Sequence, residues 1–320
     1  EARREMALDP DSPLSYSNLA GPFLSLDRYD EAVAVLQQAK ARGIDPRSLE
    51  PVPYVLAFLQ ADAAGMRTAA AQAAGVPAIG DFLLFLQAGT AAYAGQFARA
   101  SDLTSQAVAS AEQAGEKEPA ATFYAQQALN EALVGYAAQA REQAQTALQA
   151  SNARPVQPGA AIALALAGDV DQARKLAEDL AKRFPQGTLV NFLYLPTIRA
   201  AAALGSNATT EAIADLHVVS PYELGSPGVL AIYLRGQAYL AAHQGPQAAA
   251  EFQKLIDHPG IVGVSPIASL ARLGLARARA LSGDKSGARK SYQDFFALWE
   301  HADPGIPILR QAKSEYAKLQ

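Results

Sequence analysis

The final segment, PILRQAKSEYAKLQ, places Leu309, Ala312, Tyr316 and Leu319 on one helical stripe, with Arg310, Lys313, Glu315 and Lys318 on the opposite side. The opening, EARREMALDP, reads as the end of an amphipathic helix stopped at Asp9-Pro10. It has neither a helix start nor an initiator methionine, so the chain is expected to continue upstream into a longer protein. Between these ends the pattern is punctuated by turns that hold Gly or Asp, each followed within a few residues by a small residue. Two antiparallel helices that pack closely need such a residue where their backbones approach, so its recurrence marks helical hairpins. The series runs Ala32, Met66, Ala100, Ala140, Ala173, Ala212, Ala248 and Ala288, with spacings of 34, 34, 40, 33, 39, 36 and 40 residues. A period that starts at 34 and lengthens by up to six residues predicts a helix-turn-helix repeat with variable outer loops. Each helix should be about 12 to 15 residues long. That is marginal for an isolated helix, so stacking on neighbours must supply the stability.

The first complete unit, YSNLAGPFLSLDRYDEAVAVLQQAKARGIDP, carries Tyr16, Leu19, Ala20, Phe23, Ala32, Leu36 and Ala39 in one register, with Pro46 two residues late. The seventh carries Gly236, Tyr239, Ala248 and Phe252, the fifth Gly168, Ala173, Ala177 and Pro185, and the eighth Leu275, Ala276, Gly283, Ala288 and Tyr292. In this register the chain resembles the tetratricopeptide (TPR) repeat family, clearly in these four units and more loosely elsewhere. The resemblance implies an all-α, right-handed superhelical solenoid of about eight helix pairs plus a capping helix. The units would span about 12–46, 51–77, 81–115, 119–153, 157–187, 188–220, 226–259 and 265–303, with residues 1–10 ending an upstream helix and 305–320 forming the cap. Pro10, Pro46, Pro185 and Pro259 are expected to terminate second helices.

Composition narrows the function. Half of the 320 residues are hydrophobic, alanine being prominent, which suits close-packed helices. The net charge of −4 gives no basic excess with which to neutralise phosphates, so nucleic acid is not an expected partner. Cysteine is absent, and with it disulfides, thiolate nucleophiles and thiolate zinc sites. The longest apolar run, Ala160 to Ala167, is far below the roughly 20 residues that span a bilayer, so membrane insertion is not expected.

Catalytic patterns are sparse. His217, His243, His258 and His301 never pair at the spacing that puts two ligands on one helix face. The tetrad Ser282 to Lys285 fits the Ser-x-x-Lys pattern but falls in an interhelix turn, where Gly and Asp serve the backbone. The overlapping GDKSGARK lacks the ending of a phosphate loop and follows no strand. Asp27, Asp30, Asp169 and Asp171 read as turn and helix-start residues. Asn207-Ala-Thr209 matches a glycosylation sequon within a Gly205-Ser206-Asn207 turn. No catalytic site, metal or cofactor is expected.

The resemblance implies that first helices line a concave groove. Its register puts Ser17, Asn18 and Ser25 there in unit one, and Phe82, Phe85 and Tyr93 in unit three. Asn191, Tyr194 and Arg199 follow in unit six, Tyr233 and Gln237 in unit seven, and Arg277 in unit eight. Asn18, Asn191, Tyr194, Arg199, Tyr233, Gln237 and Arg277 are the candidate partner-binding residues, since aromatic and Arg side chains often anchor interfaces and packing alone does not select Asn, Gln or Arg. The Lys and Asn that clamp a peptide carboxylate in some family members are replaced by Ser17 and Gly21. Two long joints, Ser220–Pro227 and His258–Pro266, stand out. In the second, Ile261, Val262 and Val264 are expected to tuck over the neighbouring unit or to form an exposed apolar contact.

These features predict a non-catalytic scaffold that binds a protein or peptide. PYELGSPG and DPGIPILRQAKSEYAKLQ resemble the C-terminal region of bacterial serine/threonine kinases, which implies a sensory or docking arm whose catalytic domain lies upstream. The small-molecule sensor domain of a helix-turn-helix regulator is the alternative.

Overall fold

The computed structural model describes residues 1–49, 51–76, 79–225 and 228–319. Glu50, Pro77 (the end of the second unit), Ala78, Ser226 and Pro227 (in the first long joint) and Gln320 (in the capping segment) lie outside the described residues. The chain is an all-α helical solenoid. Helix α1 (Ala2–Leu8) leads into the pairs α2 (Pro13–Ser25) with α3 (Tyr29–Ala41) and α4 (Val52–Leu59) with α5 (Ala63–Ala73). Next come α6 (Ile79–Tyr93) with α7 (Phe97–Gln113) and α8 (Lys117–Val134) with α9 (Ala137–Ala150). The pairs α10 (Gln157–Leu166) with α11 (Val170–Arg183) and α12 (Leu195–Gly205) with α13 (Thr209–Val218) follow, a π-helical turn at Val190–Tyr194 preceding α12. Then α14 (Val229–Ala241) pairs with α15 (Gly245–Ile256) and, after the single turn α16 (Pro259–Val262), α17 (Ile267–Leu281) pairs with α18 (Lys285–Leu298). Helix α19 (Pro307–Ala317) closes the chain. The paired helices range more widely in length than the sequence pattern suggests, from 8 residues in α4, confined between Pro51 and the turn at Ala61, to 18 in α8.

The hairpins share one construction. Each residue of the small-residue series is the fourth residue of its second helix, as Ala32 is in α3 and Ala288 in α18. All seven alanines are at most 1% exposed, whereas Met66 is half-buried. Five residues before each (27 before 32, 95 before 100, 283 before 288) the backbone turns left-handed, at Asp27, Ala61, Gly95, Gly135, Gly168, Asn207, His243 and Gly283. The next residue's N–H then reaches back five positions to the first helix, as in Arg28 to Phe23, Gln96 to Ala91 and Asp284 to Arg279. This is the Schellman geometry that satisfies the last helical carbonyls. Glycine takes it without strain; the other four residues pay about 1 kcal/mol each. Asp62, Asp169 and Asp284 then cap the second helix, accepting backbone N–H groups from its first turn.

Stacking supplies the core. A continuous apolar cluster runs from Ala88 in α6 to Ala312 in α19, and the first two pairs hold smaller clusters around Tyr16 and Tyr54. Fully buried Phe252 is wedged between Gly236 of α14 and Gly274 of α17, where added Cβ atoms would stand 2.7 and 2.5 Å from its ring. Arg235, 1% exposed, holds down the first long joint: its Nη2 donates to Glu223 (2.7 Å) and Glu251 (2.6 Å), while Lys254 Nζ donates to Glu223 (2.8 Å). Leu309 and Ala312 of α19 are buried as the stripe predicts. Glu315, expected on the outside, instead turns inward to accept from Arg277 Nε (2.9 Å) and Tyr292 Oη (2.8 Å). Pro259 does not end a second helix; it opens α16.

The stack also returns on itself. Trp299, after α18, donates from its indole to the Tyr93 carbonyl (3.0 Å) and packs edge-on against Phe97. The Asp303 N–H donates to the Gly95 carbonyl (3.0 Å), and its carboxylate accepts from the Ala98 N–H (2.8 Å), capping α7 from 205 residues away. Pro307 sits against Gly135 at the end of α8. The second long joint reaches pair one: the Gly260 N–H donates to Asp27 Oδ1 (2.8 Å). Asp27, at the left-handed position of the turn before α3, thus serves the closure as well, while its Oδ1 also accepts from Tyr29 Oη (2.8 Å) at the start of α3.

Candidate binding cavity on the inner wall

The first helix of every pair contributes to one central cavity of about 460 Å³. Ser25 of α2, Val55 of α4, Phe85 and Leu86 of α6, Leu129 of α8, Ile162 of α10, Thr197 of α12, Val229 of α14 and Ile267 of α17 face it, and the segment Gly260–Pro266 fills one side. None of its lining residues is charged, although 18% of the chain is. Its volume falls in the range of sites that take small ligands or a few side chains.

The polar part of the wall comes from α8. Thr104 Oγ1 of α7 donates to Gln127 Oε1 (3.3 Å), and Gln127 Nε2 donates to Glu131 Oε1 (2.9 Å). Gln126 Nε2 donates to Asn130 Oδ1 (3.0 Å). These bonds fix the carboxamides while no hydrogen bond among the described residues engages Asn130 Nδ2 or Gln126 Oε1, a donor and an acceptor matched to a peptide unit. Behind them, Glu131 is 6% exposed and its Oε2 has no hydrogen-bond partner among the described residues. Burial pushes its carboxyl up to about 7, against the opposing effect of the Gln127 bond and with a further push from Glu142.

Of the seven candidate residues, Tyr194 lines this cavity. Tyr233 is buried edge-on against Phe252, and burial drives its phenol to about 12. Arg277, the residue of α17 that opposes this rise, is tied to Glu315 and keeps one buried nitrogen, Nη2, without a partner. Gln237 lies one turn beyond Tyr233 on α14 and, like Arg277, opposes the same rise. Asn191 donates to the Pro185 (3.0 Å) and Gly187 (3.1 Å) carbonyls, holding the turn before the π-helical segment. Arg199 donates to the Leu195 carbonyl (3.3 Å) and lies in a separate small cleft with Glu211 and Asp215. Asn18 donates to Glu5 of α1 (3.1 Å). Among the other groove residues, Ser25 and Phe85 line the cavity, Phe82 is 39% exposed, and Tyr93 packs edge-on against Phe58. The α8 carboxamides escaped sequence reasoning; the run QQALNE, with Gln, Asn and Glu on an otherwise Ala-rich first helix, was their signal.

No family model matches the sequence, and no curated protein matches it. Among solved structures, the chain is similar to the P58(IPK) TPR domain, at 11% identity over 96% of this chain and 98% of that one, with a TM-score of 0.29. It is also similar to a chain in the structure of Naa15/Naa10 bound to HypK-THB, at 15% identity over 100% of this chain and 57% of that one, with a TM-score of 0.27. At these scores the account of the solenoid rests on the chain's own helices and turns. Among the described residues no group of three or more His, Asp or Glu could hold a metal ion, and no helix is long and apolar enough to cross a membrane.

Proposed function

We propose that the chain is a non-catalytic scaffold of tetratricopeptide type, the sensory or docking arm of a larger signalling protein, which takes a segment of a protein partner on its inner wall. The observation that supports this most directly is the cavity itself. It gathers a first helix from every pair, excludes charge, and offers the Asn130 amide and the Gln126 carbonyl beside apolar side chains. A preformed wall of this kind recognises a ligand without the cost of ordering itself. Tyr194, which lines the cavity, is the candidate residue that supports this reading.

The placement beside a bacterial serine/threonine kinase domain rests on PYELGSPG and DPGIPILRQAKSEYAKLQ. Glu223 and Glu315 in these stretches also have structural work, pairing with Arg235 and Arg277. The gene sequence upstream of Glu1 decides that placement.

Screening the full chain against an array of uncharged nonapeptides tests the scaffold reading. Binders are expected whose affinity falls about tenfold when Gln126 and Asn130 are both replaced by Leu, the loss of one or two hydrogen bonds to a buried peptide unit. An array without binders, or binders indifferent to the double substitution, refutes the inner-wall assignment.

A further inference from the structure

We propose that the joint Pro259–Pro266 is an internal ligand seated in the inner wall, and that the partner is an uncharged peptide segment of the same kind, β-branched residues flanking glycine, which displaces it. The inference rests on the scaffold reading above and names its ligand class.

Stacking does not need so long a joint. Helices α7 and α8 are connected by Ala114–Glu116 alone, whereas ten residues, 257–266, separate α15 from α17. Ile261 and Val262 do pack with the cluster that holds the neighbouring helices α15 and α17, and the joint also crosses to the first three pairs, where Val264 packs beside Tyr54 and Leu83. There the fit is close from both sides. A Cβ on Gly260 would stand 1.8 Å from the Leu24 carbonyl oxygen, and a Cβ on Gly89, in the middle of α6, would stand 2.9 Å from Val264 Cγ2 and 3.2 Å from the Val264 carbonyl oxygen. Both glycines let one backbone approach another. Gly263 adopts φ 58° and ψ −141°, a conformation essentially reserved for glycine, which turns the chain so that Val262 and Val264 both face inward. Val262 is 5% exposed.

The attachment is nonetheless of a kind that another peptide can replace. Among the described residues, Gly260 to Asp27 is the hydrogen bond that ties the segment to the first three pairs; its other contacts there are close packing of Gly260 on the Leu24 backbone and of Val264 on Gly89. The segment carries no charge and the cavity lining carries none, the Asp27 carboxylate being bonded to Gly260, so a competitor with an acidic side chain would leave an unpaired charge buried. A peptide in its place meets the same glycine-sized gap at Gly89 and can also reach Asn130 and Gln126, which the resident segment leaves unbonded. Wild type therefore presents an occupied site, with apparent affinity lowered by the fraction of molecules in which the segment is seated.

The test uses the fluorescein-labelled octapeptide PGIVGVSP, blocked at its C-terminus, and fluorescence anisotropy on the full chain. Ile261→Ser, Val262→Ser and Val264→Ser together weaken the resident segment without shortening it. The octapeptide is expected to bind this variant about tenfold or more tighter than wild type. A peptide with Glu and Lys at the second and third hydrophobic positions should not bind, and Gly89→Leu in the triple variant should abolish binding. Circular dichroism monitors folding, and Val264→Ser alone, expected to gain about threefold, serves if the triple variant does not fold. Equal binding to wild type and variant, or no binding to a folded variant, overturns the proposal. If array peptides of other composition still depend on Gln126 and Asn130, the scaffold reading stands and only the internal-ligand assignment fails. If neither octapeptide nor array binds, both fall.

Discussion

Replacing Glu131 by Gln should make stability less dependent on pH. The side chain is 6% exposed, one carboxylate oxygen is bonded to Gln127 at 2.9 Å, and the other is buried without a hydrogen-bond partner among the described residues. Its pKa therefore rises from 4.5 in the unfolded chain to about 7 in the fold. Because the folded state holds the proton more tightly, the associated stability is fully present below pH 4.5 and is lost as pH rises through 7. At 1.36 kcal/mol per pH unit, holding this group ionised at pH 8 costs about 3 kcal/mol relative to its protonated form. Glu131→Gln retains an acceptor for Gln127 and removes the ionisation. Urea unfolding of wild type and variant at pH 5 and pH 8 reads the effect directly. The variant should lie within about 0.5 kcal/mol of wild type at pH 5 and be more stable by about 2 to 3 kcal/mol at pH 8. An equal difference at the two pH values would refute the assignment of the strain to the buried carboxylate. Since Gln127 both bonds Glu131 and lines the cavity, the same titration bears on the proposed binding wall.

Two further outcomes follow from the turns and the closure. His243→Gly should raise stability by about 1 kcal/mol, because His243 holds φ 57° with its side chain exposed; a thermal shift of the opposite sign would contradict the shared-turn geometry. Asp303→Ala should cost about 1 kcal/mol and speed hydrogen exchange at the Ala98 amide, and unchanged exchange there would mean that α7 is not capped across the ring.

The repeat was legible because it is local. The pivot alanine and the left-handed turn five residues before it are close in sequence, and Gly, Asp or Asn marks most of those turns. Even His243, one of the four histidines without a ligand-spaced partner, falls in the same backbone register. The C-terminal stripe was legible for the same reason, apart from Glu315, whose inward turn depends on Arg277 38 residues earlier. Most of the candidate binding residues were chosen as polar or aromatic side chains that packing alone would not select. In the structure, Asn18 and Asn191 bond to neighbouring parts of the chain and Arg199 bonds to its own helix. Bonds of this kind can select a polar residue as readily as a partner can.

The closure was not legible, and the reason is geometric. In a solenoid the path of the stack is set by a small rotation repeated at each unit. A period of 33 to 40 residues reports that units exist but not where the eighth will arrive. The residues that fix its arrival lie outside the repeat register: Gly89 within α6, Gly260 after a proline in a joint, and Trp299 and Asp303 beyond α18. Two of the contacts bring backbone against backbone, at Leu24 with Gly260 and at Gly95 with Asp303, and Gly89 admits Val264 in the same way. Such contacts select the absence of a side chain, which leaves little for hydrophobic patterning to detect. They also change what the inner wall is. An open array offers a groove whose curvature adapts to its ligand, whereas this chain pins units one, three and four to units seven and eight and places its own apolar segment in the space between. On the proposed reading, recognition by such a wall is a contest between two peptides for one seat, in which the affinity of the visitor is measured against the hold of the resident.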